Sequence, residues 1–251
     1  MIYDEIFGEI RVMDGGLGSL LSQMGHPIEF APMPEIMQKT RRFLYSGATI
    51  IETCSYQAGL ANLQEQLKIS SGESKIYLKN SVALAQEAVA DFMKDENPGY
   101  KIYIAGSIGS YGSNLHDRSE YTGSYIRKVD PTMLREYYEG QAAVLMEAGV
   151  DILVFETVPT LDDALIIAQL MISPKFKDFP FWISFYCKDN YSIGSNESFR
   201  EVMKTLSRLD HVKVVGINCT DSRFIESLLK CDPVQKISVV NPKHRVQQTF
   251  E

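Results

Sequence analysis

The sequence lacks the marks of several protein classes. It has only four cysteines, Cys54, Cys187, Cys219 and Cys231, widely spaced and with no CxxC pair. That excludes a dense disulfide framework and leads us to expect a reducing, cytoplasmic compartment. No apolar run approaches the roughly 18 residues needed to span a bilayer. The opening MIYDEIFGEIRV carries acids early, where a signal peptide would be basic and then apolar. Basic charge is also in deficit. Lys and Arg number 25 against 32 Asp and Glu, for a net charge of −7. A nucleic-acid surface needs clustered cations, so neither nucleic acid nor membrane is expected as a partner. The acidity reads as solubility. The four histidines, His26, His116, His211 and His244, form no HExxH pair. The run Gly15–Gly18 has no GxGxxG order, and a tight turn explains it.

What is present is a recurring strand, turn and helix. Short apolar runs at Ile10–Asp14, Ala48–Thr53, Lys101–Gly106, Asp151–Glu156, Phe181–Tyr186, Val212–Asn218 and Lys236–Val240 read as strands buried on both faces. Helical patterns lie between them. Glu73–Lys94 places Ile76, Leu84, Ala88 and Phe92 on one face. Pro131–Ala148 opens on Asp130-Pro131, a cap followed by a first-turn proline, and stops at Gly149. Leu161–Met171, Ser198–Leu209 and Ser222–Lys230 follow, the last capped by Asp221. Strands alternating with helices imply a parallel sheet.

A TIM (β/α)8-type barrel takes about 250 residues and eight strands. We count seven strands in 251 residues, so the eighth strand and helix are lacking. The expectation is one barrel domain over residues 1–251, incomplete at its C-terminus. Unpaired edges would then lower solubility or drive pairing with another chain, as in a homo-oligomer.

The C-terminal strand ends, where such a barrel does its chemistry, are polar. They bring Asp14, Thr53-Cys54-Ser55-Tyr56-Gln57, Gly106-Ser107, Glu156-Thr157, Ser184, Tyr186, Asn218-Cys219 and Asn241. Inward-facing Asp14 and Glu156 can hold an ammonium, and the Ser107 backbone can donate to a carboxylate. Together they suit a small amino acid. The plainer reading of each is a polar strand end facing water.

These residues also resemble a known family. Ala105–Tyr125, AGSIGSYGSNLHDRSEYTGSY, is similar to a signature of homocysteine S-methyltransferases that use S-methylmethionine or S-adenosylmethionine. Met13–Gly18 resembles their DGG turn. Ala48–Gln57, Glu147–Pro159 and Val215–Cys219 resemble further blocks, so the likeness runs from about residue 10 to about residue 240. It implies one Zn2+ held by three cysteine thiolates. Of these Cys219 is one, and the other two, an adjacent pair after the eighth strand, are absent from this chain. It implies that Asp14 and Glu156 hold the homocysteine amino group, with Thr53, Ser107 and Asn218 as further substrate contacts. Tyr56, Tyr111 and Tyr121 can face a cationic donor. Cys54 stands where the family more often has Asn, and residues 240–251 fit the family poorly apart from Asn241-Pro242. The betaine-using branch looks less similar, because it is not expected to carry the Glu120–Tyr125 block. Two readings stay open. One is a zinc-dependent methyl transfer from a sulfonium to homocysteine, giving methionine. The other is a non-catalytic truncated isoform or homocysteine-binding pseudoenzyme.

Overall fold

The structure is a computed structural model that describes residues 2–15, 33–231 and 237–243. In chain order the elements are α1 (Ile2–Phe7), α2 (Met33–Tyr45), β1 (Ile50–Glu52), α3 (Leu60–Leu67), α4 (Ser71–Glu96), β2 (Tyr103–Gly109) and α5 (Pro131–Ala148). There follow β3 (Ile152–Val158), α6 (Leu161–Met171), β4 (Phe181–Phe185), α7 (Phe199–Leu206), β5 (Val215–Asp221), α8 (Ser222–Lys230) and β6 (Ile237–Lys243). The strands form one sheet in the order β1-β2-β3-β4-β5-β6, as right-handed strand–helix–strand units require. Every residue of β2, β3 and β4 is buried, so these strands are apolar without alternation. This is the alternation of a TIM-type barrel, with six of its strands among the described residues.

The first expected strand is reduced to a single bridge between Met13 and Ile50. Ile10 and Val12 project into solvent, so apolar burial does not extend the pairing beyond it. From Gly16 the glycine run lies outside the described residues, as do His26 and His244. No helix among the described residues is long and apolar enough to cross a membrane.

The chain divides into two compact units. The first comprises residues 1–108, 136–154 and 178–180. In it α4 starts with a reciprocal cap. Ser70 accepts from the Glu73 N–H, and Glu73 accepts from the Ser70 N–H at 2.8 Å. The apolar stripe of α4 is Leu78, Val82, Ala85, Ala88 and Phe92, whereas Ile76 is 57% exposed. Of the expected stripe, Ala88 and Phe92 lie on the buried face, Leu84 is half-buried and Ile76 is exposed. Helix α2 lies on α4 through an Arg41–Asp91 ion pair and the Tyr45 ring, edge-on to Phe92 at 5.1 Å. Tyr103 anchors α1, donating to Glu5 at 2.8 Å beneath the cations of Arg11 and Lys101.

The second unit comprises residues 109–135, 155–177 and 181–251. In it β4 pairs with β5 and β5 with β6, both parallel, with Ile183 opposite Val215 and Asn218 opposite Asn241. The β5–β6 register slips between Asn218 and Asp221, where Cys219 sits. Asp221 caps α8, as its position predicted.

Candidate functional site

In the first unit the strand ends form a closed hydrogen-bond circuit. The Thr53 and Ser55 hydroxyls lie 2.6 Å apart, Ser55 donates to the Ser107 carbonyl at 2.6 Å, and the Ser107 N–H donates to Thr53 Oγ1 at 3.0 Å. All three residues are buried. The Ser107 amide, which the sequence offered to a carboxylate, is thus engaged inside the protein. Asp14 is buried and accepts the Glu52 N–H through Oδ2 at 3.0 Å. The strand end therefore fixes the carboxylate of Asp14 as well as its backbone.

In the second unit Asn218 gathers the other site residues. Its Oδ1 accepts the Thr157 N–H at 2.9 Å. Its Nδ2 donates to Glu156 Oε2 at 3.0 Å and to Thr157 Oγ1 at 2.8 Å. Cys219 Sγ stands 3.7 Å from both Asn218 Nδ2 and Thr157 Oγ1. Glu156 and Asn218 are buried, while Cys219 is partly exposed. So Glu156, Asn218 and Cys219, named from the sequence, come together, and Thr157 joins them.

The backbone here is unusual. Thr157 has φ +57° and Cys219 φ +51°, both left-handed. For a β-branched residue this conformation is an outlier that costs of order 1–3 kcal/mol. It persists because Asn218 binds Thr157 through both the N–H and the hydroxyl. Nothing in the composition of Glu156-Thr157-Val158 signals it, since threonine and valine are ordinary strand residues.

Aromatic side chains flank this cluster. Tyr121 meets Tyr186 edge-on at 4.9 Å and 75°. Burial pushes the hydroxyl pKa of both upward, and the charge of Cys219 adds to the push on each. Tyr121 was named from the sequence as an aromatic; Tyr186 was noted only as a strand end. Tyr125 donates to buried Asp163 at 2.7 Å, and Thr160 donates to the same carboxylate at 2.8 Å while capping α6. The Tyr125 end of the Glu120–Tyr125 block is thus tied to the start of α6. Asp163 carried no sequence signal beyond its place in a helix's first turn.

Two other cysteines, Cys54 and Cys187, are held as thiols. Burial pushes Cys54 up to about 11 and raises Cys187 further. Among the described residues no three His, Cys, Asp or Glu side chains gather to hold a metal ion. A zinc site needs about four tetrahedral ligands. The residues described do not make the one that the resemblance implies.

A parallel strand–helix fold with a carboxylate, an amide and a thiol clustered at its strand ends defines a protein of the barrel type, with its polar groups where such barrels place their sites. Comparison with known proteins narrows this class. A family model described as homocysteine S-methyltransferase matches residues 11–248. Homocysteine S-methyltransferase 1 of Arabidopsis thaliana is 35% identical over 237 residues, covering 89% of this chain and 72% of that protein. The chain belongs to the homocysteine S-methyltransferase family. A Drosophila melanogaster protein named betaine-homocysteine S-methyltransferase is 33% identical over 210 residues, covering 79% of this chain and 63% of that protein. Overall identity therefore does not set this betaine-named relative apart. The metallated form of the Escherichia coli homocysteine methyltransferase MmuM has the same fold, with a TM-score of 0.80 at 20% identity. That comparison covers 96% of this chain and 94% of the other.

Proposed function

We propose that this chain binds homocysteine as a methyl acceptor, and that the donor is a sulfonium, S-methylmethionine or S-adenosylmethionine, with methionine as product. The observation that carries the reading is the Asn218 cluster, which holds a buried carboxylate from the end of β3 and a thiol from the end of β5 on one amide. Glu156 would receive the homocysteine ammonium, a charge-assisted contact. Within the first unit, the Thr53–Ser107 circuit holds its own strand end rigid. In the reaction the acceptor thiol releases its proton to solvent and its sulfur attacks the methyl carbon in line. The carbon–sulfur bond of the sulfonium then breaks, its electron pair returning to the departing sulfur. The leaving group is a neutral thioether and needs no acid to protonate it. The task left to the protein is alignment.

Cys219 is the residue we assign as zinc ligand, and it needs further thiolates that the described residues do not supply. This favours a second reading, that the 251-residue chain binds homocysteine without turning it over. One experiment separates the two: zinc content of the purified chain beside transfer of a 13C-methyl group from S-methylmethionine to homocysteine. Zinc at one per chain with steady formation of labelled methionine establishes the enzyme. Homocysteine binding with neither zinc nor turnover establishes the second reading.

A further inference from the structure

We propose that a groove beside the start of α6 takes the amino-acid end of the methyl donor, its carboxylate on Arg127 and its ammonium on Asp162. This deepens the donor half of the proposed function and rests on it. The groove lies wholly within the second unit and has a volume of about 400 Å³, which suits a small molecule. Arg127 and Asp162 both line it and both are exposed. Among the described residues neither makes an ion pair, with the other or with a third group. Opposite charges that share a groove without meeting leave each open to a ligand that carries both signs. An α-amino acid is such a ligand, and both sulfonium donors end in one.

The walls of the groove are fixed. Glu197 lines it and accepts both the Leu161 N–H, at 3.0 Å, and the Ser195 hydroxyl on one oxygen. That stitches residues 195–197 to the first residue of α6. Gly123 has φ +67°, and a Cβ there would collide with the Thr160 methyl group. The chain after β2 therefore closes directly onto the residue that caps α6. A groove built in this way is formed before its ligand arrives, which lowers the cost of binding.

One wall leads straight to the Asn218 cluster. Thr160 lies three residues beyond Thr157, so even an extended chain keeps their Cα atoms within about 10 Å. Thr157 Oγ1 in turn stands 3.7 Å from Cys219 Sγ. In S-methylmethionine the sulfur is three bonds from the α-carbon. Holding the amino-acid end here thus keeps the reacting sulfur in the neighbourhood of the acceptor, with no contact to the sulfonium itself. It also separates two ligands that are alike at their ends. Homocysteine has Glu156 for its ammonium, and the donor has Asp162.

The test is calorimetric titration of the 251-residue chain with S-methylmethionine, with its decarboxylated analogue aminopropyl dimethylsulfonium and, separately, with homocysteine. The analogue keeps the sulfonium and the ammonium and lacks the carboxylate. We expect the wild type to bind S-methylmethionine about fivefold or more tighter than the analogue. Arg127→Met should erase that preference, and Asp162→Asn should weaken both sulfonium ligands by about fivefold or more. Homocysteine should stay within about twofold in both variants. Both side chains are exposed, so both variants should keep the wild-type urea midpoint. Four results would overturn the proposal: no binding of S-methylmethionine by the wild type, no preference for it over the analogue, a preference unchanged in Arg127→Met, or a loss of homocysteine in the variants equal to that of S-methylmethionine. Homocysteine binding that is normal in both variants and lost in Glu156→Gln would leave the acceptor reading standing and remove only the groove. Absence of homocysteine binding in the wild type would remove the acceptor reading whatever the groove does.

Discussion

Replacing Asn218 by alanine removes both bonds it makes to left-handed Thr157 and leaves only the long hydroxyl contact to Cys219 Sγ at 3.7 Å. The Thr157 N–H is left buried and unpaired, which costs about 1–3 kcal/mol. The bond to the Glu156 carboxylate, worth about 1.5–3 kcal/mol as a bond to a charged group, is lost with it. We therefore expect Asn218→Ala to destabilise by about 3–5 kcal/mol. At a urea slope of about 2–3 kcal/mol per molar, the midpoint falls by about 1–2 M. Substitutions at Thr157 separate strain from hydrogen bonding. In ordinary strand or helix interiors glycine is worse than alanine by about 0.5–1 kcal/mol. At φ +57° the order should reverse, with Thr157→Gly more stable than Thr157→Ala by about 1 kcal/mol. The penalty of Asn218→Ala should also shrink by about 1 kcal/mol in the Thr157→Gly background, because less strain remains to be held. Urea denaturation of the wild type and the four variants this requires, followed by far-UV circular dichroism, supplies all the values. Thr157→Ala more stable than Thr157→Gly, with additive costs, would refute the strained-clasp account.

Three other outcomes follow from the same coordinates. Cys54 keeps its proton in the folded state up to about 11, against an ordinary 9.0. Its contribution is therefore fully present below pH 9 and is lost as pH rises toward 11, at about 1.4 kcal/mol per unit. Cys54→Ala should flatten that part of the urea-midpoint profile relative to wild type, and parallel profiles would count against it. Tyr125→Phe removes the bond to buried Asp163 and should cost about 1–3 kcal/mol, read as a lower melting temperature; an unchanged melt would mean that bond contributes nothing. Gly216→Ala drives a methyl group into the Ser184 hydroxyl and against Val239 in the neighbouring strands. It should destabilise by about 1–3 kcal/mol in chemical denaturation, and a neutral result would mean that the β4–β5–β6 packing is looser than described.

Much of the fold could be read from capping and periodicity. Asp130-Pro131 and Gly149 bracket α5 as observed, and Gly149 has φ +90°. Residues Leu161–Met171 form α6 within the expected bounds. The shorter helices were harder. Helix α3 starts at Gly59 without a side-chain cap and buries no residue fully, so neither signal was available. The candidate site divides in the same way. Glu156, Asn218 and Cys219 could be found because polar residues at strand ends stand out against apolar runs. The left-handed turn at Thr157 could not, because its residue type favours the opposite conformation. Tyr186 becomes informative only through the Tyr121 ring, which lies far from it in sequence.

The acceptor assignment depends on Glu156, held by Asn218, meeting the amino group of homocysteine. Titrating the chain with homocysteine by calorimetry, wild type against Glu156→Gln, tests this directly. We expect wild-type binding and a loss of about tenfold or more in the variant, corresponding to about 1.4 kcal/mol or more. Equal affinity in the two proteins, or no binding by the wild type, would contradict the account.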